Sequence, residues 1–156
     1  MTFVAKKIVI LEDNAERQAV MRACIADRFY TFDAHFFDNV AEMIAFLETN
    51  LTDTLVISLD NDLDMKPGPN GRAVDVGEGR QVAEFLAARA PVCPVVIHTS
   101  NSDAAVSMTE TLRAAGWKTR RVVPMDDTKW IKDDWFFAMR RALVGPIKRN
   151  RSGSPK

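Results

Sequence analysis

Short β-branched runs alternate along the chain with stretches whose apolar residues recur every three or four positions. That alternation predicts strand-helix units winding around a parallel sheet. Strands are expected at 7–11 (KIVIL), 30–36, 54–60 (TLVISLD), 95–99 and 118–123. The third is continuously apolar until it meets acid, as a strand covered by helices on both faces should be. Helices are expected over 15–28, capped by Asp13 or Asn14, and after an Asp38 cap with Val40, Met43, Ile44 and Leu47 as the buried stripe. Three more are expected over 79–90, from a Ser102 or Asp103 cap to a stop at Gly116, and over 128–143. Between the third strand and the third helix, 61–79 is rich in Gly, Pro and Asp and too irregular to be an element. Its length suits a functional lid.

Five β-α units in this order imply a flavodoxin-like, doubly wound α/β fold, strand order 2-1-3-4-5, with helices on both faces. The 156 residues suit one domain, 1–144, followed by a basic, unpatterned and disordered tail, 145–156. Lys plus Arg equals Asp plus Glu at 21 each, so no overall field favours nucleic acid or anionic lipid. No stretch approaches the roughly 18 apolar residues of a membrane span, and no secretory leader pattern is visible, so the cytoplasm is the expected compartment. Cys24 and Cys93 have no metal-ligand spacing and read as reduced, partly buried thiols.

In this fold ligands bind outside the carboxyl ends of the strands, at the switch point between strands one and three. Glu12-Asp13 ends strand one, and Asp60-Asn61-Asp62-Leu63-Asp64 follows strand three. Glu12 or Asp64 alone would read as a cap or a solvated loop acid. Converging carboxylates repel one another and stay ionised only beside a cation, and Mg²⁺ or another divalent ion suits such an oxygen site. The expected metal ligands are Glu12, Asp13, Asp60 and Asp62. Strand four brings His98-Thr99-Ser100-Asn101 to the same rim, where Thr99, Ser100 and Asn101 would bind phosphate oxygens. His98 would serve as an acid or base, with Asp60 and Thr99 as the other catalytic candidates. Trp117, Trp130 and Trp135 read as core.

These residues resemble the receiver domains of response regulators over about residues 6–143. The resemblance implies Mg²⁺ at Glu12, Asp13 and Asp60, a phosphoryl-accepting Asp60, and a hydroxyl contact from Thr99. One departure stands out: receivers carry a Lys before the proline ending strand five, and here Val123 precedes Pro124. Two-residue alternation keeps the nearby Arg121 off the rim. A closer resemblance is to the cyclic-phosphate processing receiver-like branch, with Ser-Leu-Asp-His-Asp-Leu and His-Ser-x-Asn motifs. Here they stand as Ser58-Leu59-Asp60-Asn61-Asp62-Leu63 and His98-Thr99-Ser100-Asn101, with Asn61 for His and Thr99 for Ser. That branch implies processing of a phosphoester or cyclic phosphate, with a phosphorylated small molecule or nucleotide end as partner. The other reading is a signalling module, either a receiver phosphorylated on Asp60 or a pseudo-receiver working through protein contacts.

Overall fold

The computed structural model describes residues 5–125 and 127–152, with side chains as far as Val144. Five parallel strands form the sheet: β1 (Lys7–Leu11), β2 (Asp33–Phe37), β3 (Thr54–Leu59), β6 (Val95–His98) and β7 (Thr119–Val122), in the order β2-β1-β3-β6-β7. The expected flavodoxin-like order is therefore the observed one. Two further strands, β4 (Lys66–Pro67) and β5 (Ala73–Val74), make a miniature antiparallel hairpin inside the segment 61–79.

Strand alternation divides the core. Val9, Leu11, Ile57, Leu59 and Ile97 face α2 (Val40–Asn50), α3 (Gly79–Ala87) and α4 (Ser102–Ala114). Ile8, Ile10, Val56, Val96 and Val122 face α1 (Ala15–Arg28) and α5 (Phe136–Ser152). Each fully buried Ile or Leu contributes about 1.5–3 kcal/mol, so the β1 residues anchor both layers. All three tryptophans are buried, as expected.

Several boundaries differ from the sequence reading for local reasons. Asn39, not Asp38, caps α2 by accepting from Glu42 N at 3.1 Å, because Asp38 is drawn into an ion pair with Lys66 of the hairpin. Asn101, not Ser102 or Asp103, caps α4, accepting from Ala104 N at 3.0 Å. The segment 61–79 is tied down rather than loose: Val40 N donates to Val76 O at 2.9 Å and Gly79 N to Asn61 O at 3.0 Å. The final helix opens with a π turn, Ile131–Trp135. Residues five apart become neighbours in such a turn, so Trp130 and Trp135 both bury. Helix α5 runs on past the expected end at Leu143, and 153–156 of the expected tail lie outside the described residues.

Candidate functional site

The ladder continues one residue beyond β1 and β3, where Glu12 N donates to Phe37 O at 2.9 Å and Asp60 N to Leu11 O at 3.1 Å. The two-residue period therefore continues too. Glu12 follows Ile8 and Ile10, Asp60 follows Val56 and Ser58, and His98 follows Val96, all toward the face covered by α1 and α5. Glu12, Asp60 and His98 are buried, and each offers a ligand atom within 4.8 Å of the others.

Beneath the carboxylates runs a buried chain of hydrogen bonds. Trp135 Nε1 donates to Ser58 Oγ at 2.9 Å, Ser58 Oγ lies 2.7 Å from His98 Nδ1, and His98 Nε2 lies 3.2 Å from Glu12 Oε1. An indole only donates and an ionised carboxylate only accepts. His98 therefore presents an Nε2 proton to Glu12, which can only accept, and meets Ser58 through Nδ1. Both nitrogens of His98 are thus committed to protein groups.

Burial opposes the charge on Glu12, but the hydrogen bond and attraction of His98, the Asn14 amide at 3.0 Å and Arg17 outweigh it and hold the carboxyl below its ordinary range. Asp60 is pushed the other way, from an ordinary 3.8 to about 6, by burial first and by repulsion from Glu12, which His98, the Asn61 amide and Arg17 offset only in part. Burial also raises Asp13, helped by Glu12 and Asp64 and opposed by the Asp64 amide. Two buried carboxylates that repel one another fit a hard divalent cation.

Helix α1 also supplies positive charge. Asn14 caps that helix by accepting from Arg17 N at 2.9 Å, which places the Arg17 side chain over the carboxyl ends of the strands. Its Nη1 lies 3.7 Å from Glu12 Oε1 and 4.0 Å from Asp60 Oδ2, and its guanidinium carbon lies 5.3 Å from the centre of the Trp130 ring.

The other expected site residues are placed differently. Asp13 has the opposite parity to Glu12, and its Oδ2 accepts from Asp64 N at 2.6 Å. Asp62 is exposed, and its Oδ1 accepts from Asn61 Nδ2 at 3.0 Å and Asn101 Nδ2 at 3.4 Å. Neither belongs to the Glu12–Asp60–His98 group. Thr99 is buried, with Oγ1 accepting from Asn101 N at 3.1 Å and its hydroxyl proton left to donate. Ser100 is exposed at the same rim. Asn61, in the position of the motif histidine, accepts from Arg80 N at 3.0 Å and so holds the start of α3. The backbone of Arg121 keeps to the expected alternation, but its long side chain still reaches the rim, donating to Thr99 O at 3.1 Å. Ser58, Trp135 and Arg17 received no role from sequence reasoning. Strand parity could have revealed the first, and the Asn14 cap the last.

Solved structures that resemble the chain include response regulators and their receiver domains. They include the phosphorylated cyanobacterial phytochrome response regulator RcpA (TM-score 0.62, 15% identity, 90% of this chain and 95% of that one). Others are the response regulator domain of CheB from Thermotoga maritima (TM-score 0.59, 16%, 90% and 97%) and the Mn²⁺-bound form of response regulator Rcp1 (TM-score 0.58, 16%, 89% and 91%). The protein has the receiver fold. Residues 7–114 match the family model of the cyclic-phosphate processing receiver domain, and the chain belongs to that family. No curated protein matches it in sequence. No helix among the described residues is long and apolar enough to cross a membrane.

Proposed function

We propose that this domain holds Mg²⁺ or a similar divalent ion at Glu12 and Asp60, with Asp13 at the rim, and processes a phosphoester or cyclic phosphate there. The observation that carries this reading is the convergence of two buried carboxylates on one face of the sheet, one of them pushed up to about 6 by burial and by repulsion from the other. The bound ion would polarise a phosphoryl oxygen and lower the pKa of a coordinated water. Thr99 donates its free hydroxyl proton to a phosphate oxygen, and Ser100 and the Asn101 amide line the approach. His98 acts through Glu12, holding the carboxylate by its Nε2 proton. Asp62, bonded to Asn101, aligns that amide rather than the ion.

The second reading, a signalling receiver with protein partners, is favoured by the place of Asp60 directly after β3, the acceptor position of that fold. Val123 stands exposed before Pro124, where receivers supply their lysine. Phosphorus NMR against 2′,3′-cyclic phosphate ends and cyclic nucleotides tests the enzyme reading. Turnover abolished by Asp60→Asn and His98→Ala supports it, and turnover that survives both removes the site. A stoichiometric acid-labile adduct on Asp60 after acetyl phosphate and Mg²⁺ treatment, without turnover, selects the receiver.

A further inference from the structure

We infer that Arg17 is the phosphate-binding cation of this site, a role the end of β7 leaves unfilled; this rests on the phosphate-site reading above. Val123 carries no charge, and Arg121, the nearest base on β7, is already donating to the Thr99 carbonyl. Arg17 approaches from the first turn of α1. It is the basic side chain within 4.0 Å of both Glu12 and Asp60.

The state of its donors points to a ligand rather than to a structural ion pair. A guanidinium has five N–H groups in a fixed fork that matches carboxylate or phosphate oxygens. Its contacts with Glu12 and Asp60, at 3.7 and 4.0 Å, are longer than hydrogen bonds, and the guanidinium makes none among the described residues. A committed structural arginine would show the bidentate geometry at about 2.7–2.9 Å. Arg17 is instead held by the face of Trp130 and by the field of the acids. Trp130 is itself buried, and its ring lies 6.1 Å from that of His98. The side chain is about a quarter exposed, so the fork is open to a ligand arriving from solvent. Charge, position and unused donors therefore meet at the point where an anion over Asp60 must be received.

The experiment uses the whole chain, Mn²⁺ and inorganic phosphate. Mn²⁺ affinity is read from the water-proton relaxation of the bound ion, and phosphate binding from broadening of its phosphorus resonance by the loaded protein. Arg17→Met keeps the length and apolar contact of the stem but removes the fork. It should bind Mn²⁺ as tightly as the native protein or several-fold tighter, because a competing cation is gone, while phosphate affinity falls about tenfold or more. Arg17→Lys, which restores charge without the fork, should recover part of the phosphate binding and guards against misfolding of the first variant. The Trp130 contribution to fluorescence, isolated by comparison with Trp130→Phe, should respond to phosphate in the native protein and not in Arg17→Met. Phosphate binding unchanged in Arg17→Met overturns the inference and leaves Arg17 an internal counter-ion. Failure of the native protein to bind Mn²⁺ overturns the metal reading and this inference with it.

Discussion

Replacing Asp60 by Asn should make the metal-free protein more stable at neutral pH, although it removes the residue on which the site turns. Asp60 is 6% exposed and its carboxyl titrates near 6 in the fold against an ordinary 3.8. Folding therefore favours its protonated form. The associated stability is fully present below 3.8 and is lost as pH rises through about 6. A shift of about two units corresponds to about 3 kcal/mol. Because the amide does not ionise, the advantage of Asp60→Asn over the native protein should grow from about half a kcal/mol near pH 4 to about 3 kcal/mol by pH 7–8. Urea unfolding in EDTA at several pH values measures the difference directly. Added Mg²⁺ should stabilise the native protein and leave the variant almost unchanged, so the order of stabilities narrows or reverses. A difference in EDTA that is constant between pH 4 and 8, or a variant less stable at every pH, would refute the account of Asp60 as an uncompensated buried acid.

Ser58→Ala strands both Trp135 Nε1 and His98 Nδ1 in the core, whereas Trp135→Phe removes one donor to a hydroxyl that keeps its other bond. Unfolding free energies should fall by roughly 2–6 and 1–2 kcal/mol respectively, on about 1–3 kcal/mol per orphaned group, and equal losses would contradict the directed chain. Gly79→Ala would place a methyl 1.9 Å from Asp60 O, so the start of α3 must move. A loss of several kcal/mol in urea unfolding, with weaker Mn²⁺ binding, is expected, and a variant of native stability would disprove the close approach. Protons should compete with the ion at Asp60, so Mg²⁺ affinity measured by calorimetry should fall up to tenfold per pH unit below about 6 and level off above it.

The strand order was legible because each strand's apolar run is bounded by acid or proline and each helix by a cap, so propensity and burial agree. The switch-point rule then placed Glu12 and Asp60 together without any contact being known. What stayed hidden depends on side-chain reach and parity. Asp13 looks equivalent to Glu12 in the sequence, yet one step along the extended backbone turns it away from the cluster, and Asp62 lies beyond the end of β3, where Asn61 and Asn101 take its carboxylate. His98 looked like a free acid-base group, and only tertiary packing shows Ser58 and Glu12 occupying its two nitrogens. Arg121 was set aside on backbone alternation, which ignores the length of an arginine. The hairpin Lys66–Val74 pairs only two residues of each strand, too short a ladder to leave a periodic signal, and the Lys66–Asp38 pair that anchors it spans separate elements.

The division of the sheet by odd and even positions gives the site an arithmetic of its own. Deleting one residue between Ile8 and Leu11 would exchange Glu12 for Asp13 at the pocket and send a carboxylate into the opposite layer, although every ligand type would survive in the sequence. Spacing within these strands is consequently constrained as tightly as residue identity, whereas the segment 61–79 can change length without altering which side its flanking acid faces. Variation in such chains should accumulate as loop insertions and as paired, never single, changes of strand length.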